Sequence, residues 1–234
     1  MTEKIKLLWS GRFSLLKTLF LNFRLLPFKD AIHLPFSVSR HVKIRGCKKG
    51  TIRINGEIKP FMISLGFGGS SDLSVYNPPK SLLEVDSNSN LVFEGKAHFA
   101  PHFSVLVKNG ATMKIGNGFS CNNGCKFSCI CGIEFGENCL LGGDIVIRDS
   151  DGHMVISYDV IHPEMMLEHS SMKPIKIGNH VWICNKSNVL KGVTIGNDCI
   201  ISYGSLVVKP FNQDNLLLGG VPAKVIKENI NWKR

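Results

Sequence analysis

Residues 177–207 read IGNHVW ICNKSN VLKGVT IGNDCI ISYGSL V when broken at every sixth residue. Ile177, Ile183, Val189, Ile195, Ile201 and Val207 head the hexads, and Gly follows in Ile177-Gly178 and Ile195-Gly196, eighteen residues apart. A period of six fits neither a helix nor an alternating strand, so it belongs to a repeat architecture. Strands of one hexad, three to a triangular turn, put every sixth side chain inside a prism. Stacked turns then pair as parallel strands about 4.8 Å apart. Four places after each apolar head lie Val181, Ser187, Val193, Cys199 and Ser205, all compact enough for a tight corner. The pattern predicts an all-β chain wound as a parallel β-helix.

Upstream the period returns less cleanly. Ile115-Gly116 and Phe135-Gly136 head two more turns, with Cys121, Phe127, Leu141 and Ile147 continuing their registers. The step from Ile115 to Phe135 is twenty residues, which predicts a corner carrying two extra residues. Regular coils are expected at about 111–147 and 175–208. Residues 41–110, with short alternating runs and turn signals at Asn55-Gly56 and Asn109-Gly110, read as an irregular first part of the same helix. Within it, 66–80 reads as a loop. Residues 148–174 break the period altogether, and a long loop without structure of its own is more often functional than accidental.

The 234-residue chain is long enough for one sizeable core. Residues 1–32 read as a helical segment, with Leu7, Leu8, Leu15, Leu16, Leu19, Phe23 and Leu26 striped beside basic residues. Such a stripe packs on its own protein or on a partner subunit, or lies on a bilayer surface, and packing is the more usual use. Lys6, Arg12, Lys17 and Arg24 interrupt the stretch, so neither a signal peptide nor a spanning helix is expected, and a cytoplasmic chain follows. The formal charge of +10 is diffuse, and no nucleic-acid-binding motif accompanies it. Phosphorylated small molecules and an acidic membrane surface are the better-matched anionic partners. The eight cysteines lack paired C-x-x-C spacing. Cys125, Cys131, Cys139 and Cys199 fall in the small corner slot, so structural thiols are expected and no metal.

The hexads, the run Ile177-Gly178-Asn179-His180-Val181-Trp182-Ile183 and the tail Gly220-Val221-Pro222-Ala223-Lys224 resemble the left-handed β-helix (hexapeptide-repeat) O-acetyltransferases. Within that group the chain is most similar to the capsule and lipopolysaccharide sugar acetyltransferases and to galactoside and maltose acetyltransferases. The resemblance covers about 111–228 and implies a left-handed parallel β-helix acyltransferase domain over 33–228, with 229–234 as a tail. It also implies a homotrimer, acetyl-CoA in the cleft between adjacent prisms, a sugar or glycan acceptor, and a His as general base.

The residue matching that His is His153, in Asp149-Ser150-Asp151-Gly152-His153. A sugar hydroxyl is a weak nucleophile at neutral pH, and an imidazole can take its proton as it attacks a thioester. Asp149 and Asp151 are the candidate carboxylates to orient it; the alternative is a plain Asp-Ser-Asp-Gly turn. Asn122 and His162 are candidate acceptor contacts, with His169 in the same loop as a weaker one, and His180 occupies an outward hexad position near Trp182. For acetyl-CoA the matching positions are Trp182 beside the thioester, Asn185, Tyr203 and Val208 along the arm, and Lys209, Lys224 and Lys227 near the phosphates. Cys184 and Tyr203 depart from the family, which carries smaller residues at both places. No nucleophile elbow is present, so direct transfer is expected rather than an acyl-enzyme. Other readings are a different acceptor (an amino sugar, a serine or an antibiotic), a β-helix zinc hydrolyase, and a non-catalytic trimeric scaffold.

Overall fold

The computed structural model describes residues 12–68, 80–158 and 166–234. Its backbone climbs a three-sided prism in which every third strand pairs in parallel with its predecessor. The first face runs from Phe36–Val38 through Trp182–Ile183 to Leu217–Gly220 and ends with the antiparallel strand Ala223–Lys227. The second face runs from Val42–Arg45 to Leu206–Val207, and the third from Ile52–Ile54 to Thr194–Ile195.

The prism tapers, and its core composition tapers with it. Phe99 pairs with Cys121, Cys121 with Leu141 and Ile183 with Ile201, which are steps of 22, 20 and 18 residues along one column. The wide coils are filled by Phe93, Phe99, Phe103, Phe119, Phe127 and Phe135, all buried. Their rings touch at centroid distances of 5.0 Å (Phe119 and Phe135) and 5.2 Å (Phe99 and Phe119). The 18-residue coils contain Val181, Ile183, Val189, Val193, Ile195, Ile201 and Val207 instead. A larger perimeter encloses more volume, and only larger side chains bring it to interior packing density. The first steps are uneven, 27 residues from Phe36 to Ile63, 34 from Ile63 to Ala97 and 39 from Val42 to Ser81, so this part is irregular as read. From about residue 81 a constant 22-residue step joins Leu82 to Ser104 and Leu91 to Met113, a period hidden because it is not a multiple of six.

Corners follow local rules. A Cβ on Gly178 would lie 2.7 Å from the carbonyl of Gly196 in the next coil, so the Ile-Gly pairs mark close backbone approach. Asn138, His180 and Asp198 turn the same edge in successive coils with φ of 57°, 53° and 55°, the left-handed region.

Both ends of the first face are covered. The helix Leu15–Leu25, followed by the short helix Phe28–Ala31, lies along the outer edge of Phe36–Val38. Asn22 accepts from the Phe36 amide (3.1 Å) and donates to its carbonyl (3.0 Å), and Thr18 Oγ1 accepts from the Val38 amide (3.1 Å). An open strand edge invites pairing with another chain, and these side chains occupy it. The buried helix positions are therefore Thr18, Leu21, Asn22 and Leu25, whereas Leu15, Leu16, Phe20 and Phe23 point to solvent. The apolar stripe read from sequence is partly the exposed side. Leu7 and Leu8 lie outside the described residues.

Two more expectations are corrected. Cys131 is exposed rather than seated in a corner slot, while Cys125, Cys139 and Cys199 are buried. The 148–174 excursion has structure of its own, an antiparallel hairpin of Val155–Tyr158 and Met166–His169.

The taper sets an expected stability contrast within one column, in which Phe127 pairs with Ile147 and Ile147 with Val189. Phe127→Ala should lower unfolding free energy by about 3–5 kcal/mol, and Val189→Ala by about 2 kcal/mol. Urea denaturation checks this, and equal losses would contradict size-matched filling.

Candidate active site

One prism edge, between the first and second faces, carries four of the sequence-predicted residues or their supports. Asn185 and Tyr203 occupy equivalent corner positions of successive coils, Asn122 lies on the same edge two coils before Asn185 and one position earlier in its corner, and Trp182 precedes the corner on the first face. Asn185 takes part in the corner itself, its Oδ1 accepting from the Gly143 amide at 3.1 Å. Tyr203 projects outward, with the Lys186 ammonium 5.8 Å from its ring centroid. Cys184 is half-buried just inside, and burial pushes its thiol pKa up. Asn122 is half-buried, with its amide N–H on the Leu141 carbonyl (2.9 Å).

Trp182 is the outward residue of its strand and lies against Trp232, ring centroids 5.8 Å apart. Trp232 in turn stacks on His180 at 4.2 Å, nearly parallel, and its indole N–H donates to the His180 carbonyl (2.8 Å). His180 Nδ1 is 2.8 Å from Asp198 Oδ1. The wall behind Trp182 is thus built from a residue fifty positions away. Sequence reading missed Trp232, and its only available signal was a large aromatic in a short polar terminus.

The excursion with His153 leaves from a different edge, between the second and third faces. His153 is exposed there, and among the described residues no side chain hydrogen-bonds to it. Asp149 does not orient it. That carboxylate is fully buried and accepts from the amides of Ile130 (2.9 and 3.1 Å), Cys131 (2.8 Å) and Gly132 (2.7 Å). It caps the corner of the preceding coil, where three N–H groups converge with no carbonyl to meet them. Asp151 instead pairs with Lys191 at 2.5 Å, and Arg148 Nε donates to the Ser150 carbonyl (2.7 Å), pinning the turn to the prism. His169 is 2.7 Å from Ser157 across the hairpin. His162 lies outside the described residues.

Val208 and Lys209 follow the last second-face strand, so they share the edge of His153 and not that of Trp182. Both are exposed; the Lys209 ammonium lies 5.5 Å from the Phe211 ring centroid. Lys224 and Lys227 are exposed on the terminal strand of the first face, where Leu217 faces Lys227. That puts Lys227 three strand spacings, about 14 Å, below Trp182 along one column. The predicted residues therefore form two sets on neighbouring edges of one prism, and a single chain does not bring them together. Burial leads in raising the thiol pKa of Cys129, Cys131, Cys184 and Cys199, and holds Cys139 up at about 11, which disfavours the thiolate at each.

Residues 174–209 match the model of the bacterial transferase hexapeptide (six repeats). The chain carries the bacterial transferase hexapeptide repeat. Around it, the sequence is 32% identical over 125 residues to the galactoside O-acetyltransferase of Escherichia coli K12, covering 53% of this chain and 58% of that protein. It is 35% identical over 104 residues to the polysialic acid O-acetyltransferase of Escherichia coli O1:K1, covering 44% of this chain and 32% of that protein. The hexapeptide chain thus spans from a third to three-fifths of these relatives. The crystal structure of the polysialic-acid-specific acetyltransferase NeuO matches 86% of this chain and 89% of its own, with a TM-score of 0.58 at 23% identity. The fold is the left-handed parallel β-helix.

The buried carboxylate gives a direct check on the turn. Asp149→Ala strands three amides and should cost about 3 kcal/mol in urea unfolding. Asp151→Asn, at a partly exposed ion pair, should cost under about 1 kcal/mol. A loss at Asp149→Ala as small as that at Asp151→Asn would show that the cap is dispensable.

Proposed function

We propose that this chain is an acetyl-CoA-dependent O-acetyltransferase acting on a sugar hydroxyl in surface-polysaccharide biosynthesis, and that it works as a homotrimer. The observation that carries the reading is the division of the site between two prism edges. His153, Val208 and Lys209 on one edge and Trp182, Asn185 and Tyr203 on the next become one cleft when two prisms pack side by side. The repeat and the galactoside and polysialic acid relatives support the same assignment.

In this reading His153 accepts the proton of the acceptor hydroxyl as its oxygen attacks the thioester carbonyl. The C–S bond then breaks, and the imidazolium returns the proton to the departing thiolate. Asp149 drops out as the orienting carboxylate because both its oxygens are occupied, and Asp151, with Oδ2 held by Lys191, has Oδ1 left for that place. Trp182, braced by Trp232, forms the wall at the thioester end. Lys224 and Lys227, on the same face about 14 Å away, meet the phosphates as mobile point charges. Asn122 and His162 are the proposed acceptor contacts. No acyl-enzyme is invoked, since transfer is direct.

His153→Ala should reduce acetyl-CoA turnover about 10²–10⁴-fold with little change in thermal stability. A free-thiol assay over a panel of sugars, an amino sugar, serine and an aminoglycoside identifies the acceptor. Wild-type rates in the variant would remove the mechanism, and failure to bind acetyl-CoA would favour a scaffold. Zinc bound stoichiometrically, with no transfer, would favour a hydrolyase.

No helix among the described residues is long and apolar enough to cross a membrane. The exposed side of the N-terminal helices supports a peripheral contact, on the cytoplasmic face, with an anionic bilayer. Leu16 is 81% and Phe28 74% exposed, beside Phe20, Phe23 and Ile32, with Arg24 and Lys29 exposed among them. Co-sedimentation with phosphatidylglycerol vesicles should exceed that with phosphatidylcholine and fall at least about fivefold in Leu16→Asp/Phe28→Asp. Equal binding to both lipids would contradict the charge term. A changed oligomeric state in the variant would assign the face to a second copy instead.

A further inference from the structure

A cavity lies at the wide end of the prism, away from both edges described above. It encloses about 1420 Å³ against the first face, beneath Arg12 and the 57–62 segment. Its floor is a column of outward residues on adjacent strands, Ser64 paired with His98 and His98 with Ser120. Strand spacing sets their Cα atoms about 4.8 Å apart. Further along the column the outward residues become Leu140 and Trp182, so the polar section is confined to the cavity.

His98 is held in a defined state. Ser64 Oγ lies 2.6 Å from its Nδ1, which fixes the ring plane. Burial first, then the charges of Lys96 and Arg234, push the His98 pKa down, so the imidazole is neutral at pH 7. Among the described residues no hydrogen-bond partner reaches its Nε2, and Gly68 lies beside it, where a Cβ would stand 3.4 Å from that nitrogen. Gly68 has φ of 66°, a conformation that residues with side chains rarely adopt.

Charge on the walls is unbalanced. Glu57 pairs with Lys59 at 2.8 Å, and Glu94 with Lys114 at 3.5 Å while also accepting from Asn55. Arg12, Lys96 and Arg234 have no carboxylate partner among the described residues. Arg234 makes one bond, to the Gly118 carbonyl (3.2 Å), which anchors its guanidinium at the rim. Phe61 and Met62 add an apolar side to the same wall. Cations at the rim, hydroxyl and imidazole groups on the floor and an aromatic face together match one class of ligand. A sugar acid offers a carboxylate, a row of hydroxyls and an apolar ring face.

We propose that this cavity binds an acidic saccharide, with its carboxylates on Arg12, Lys96 and Arg234 and its hydroxyls on Ser64, His98 and Ser120. The volume accommodates several sugar rings, so the ligand is an oligosaccharide. Guanidinium and ammonium groups hold the anion, and the neutral imidazole exchanges hydrogen bonds with a hydroxyl without adding charge. The site does not depend on acetyl transfer and holds whether or not the chain is an acetyltransferase.

The test uses the full-length protein without acetyl-CoA, at constant ionic strength, with tetragalacturonate, maltotetraose and inorganic phosphate as probes. Isothermal titration gives affinity, and the His98 ring resonances report the location. Tetragalacturonate should bind saturably and shift His98, with maltotetraose and phosphate each at least about tenfold weaker. Lys96→Gln and Arg12→Gln should each weaken it about tenfold while leaving the melting temperature unchanged. His153→Ala should bind as wild type, which separates this site from the proposed catalytic one. Equal binding of maltotetraose would overturn the anionic assignment, and equal binding of phosphate the saccharide. Absent binding, an unmoved His98, or full affinity in both charge variants would overturn the site itself.

Discussion

Backbone pairing between successive coils is the constraint on which the rest of this molecule depends. Each parallel strand must lie about 4.8 Å from the one before it, so a residue's neighbours in space are those one full coil away. Inward positions therefore form columns, and the volume available to a column is set by coil length. Where the coil is 22 residues the columns carry Phe, and where it is 18 they carry Ile and Val. Neither change stands alone. A short coil around Phe99 would be overpacked, and a long one around Ile183 would leave a void.

The same pairing leaves two open ends, and the chain closes them by different means. At the wide end the helix Leu15–Leu25 offers side chains, Thr18 and Asn22, to strand groups that no coil reaches. At the narrow end the chain reverses, and Ala223–Lys227 adds an antiparallel strand. The first solution fixes one side of a helix against the prism and turns its other, more apolar side outward. The second places two lysines beyond the last coil on the face of Trp182.

How much of this was legible follows from which neighbours are sequence-local. Residues 177–207 declared the fold because an 18-residue coil is three hexads, so columns appear as a period of six. At 22 residues the corners hold extra residues, the period dissolves, and coils before residue 111 read as irregular. Asp149 shows the limit for the site. Asp-Ser-Asp-Gly-His reads as a polar catalytic turn, yet the first Asp belongs to the coil beneath it, bonded to amides 17 to 19 residues earlier. His180 and Trp232 meet across 52 positions, a contact that no local pattern encodes.

The two edges carry a further consequence for how such a site is assembled. A column continues through every coil, so a residue can move along its own edge by a change in coil number but cannot cross to the next edge. His153 and Trp182 are fixed on different edges by the order in which the chain visits the faces. An excursion long enough to carry His153 around its own prism would need to pass the whole second face. A neighbouring prism needs only to stand beside it. The excursion that carries His153 continues into the hairpin of Val155–Tyr158 and Met166–His169 and is tied to the prism through Asp151 and Lys191. For the proposed site, association of identical chains is in this sense the shorter route, because the architecture separates His153 from Trp182 within one chain.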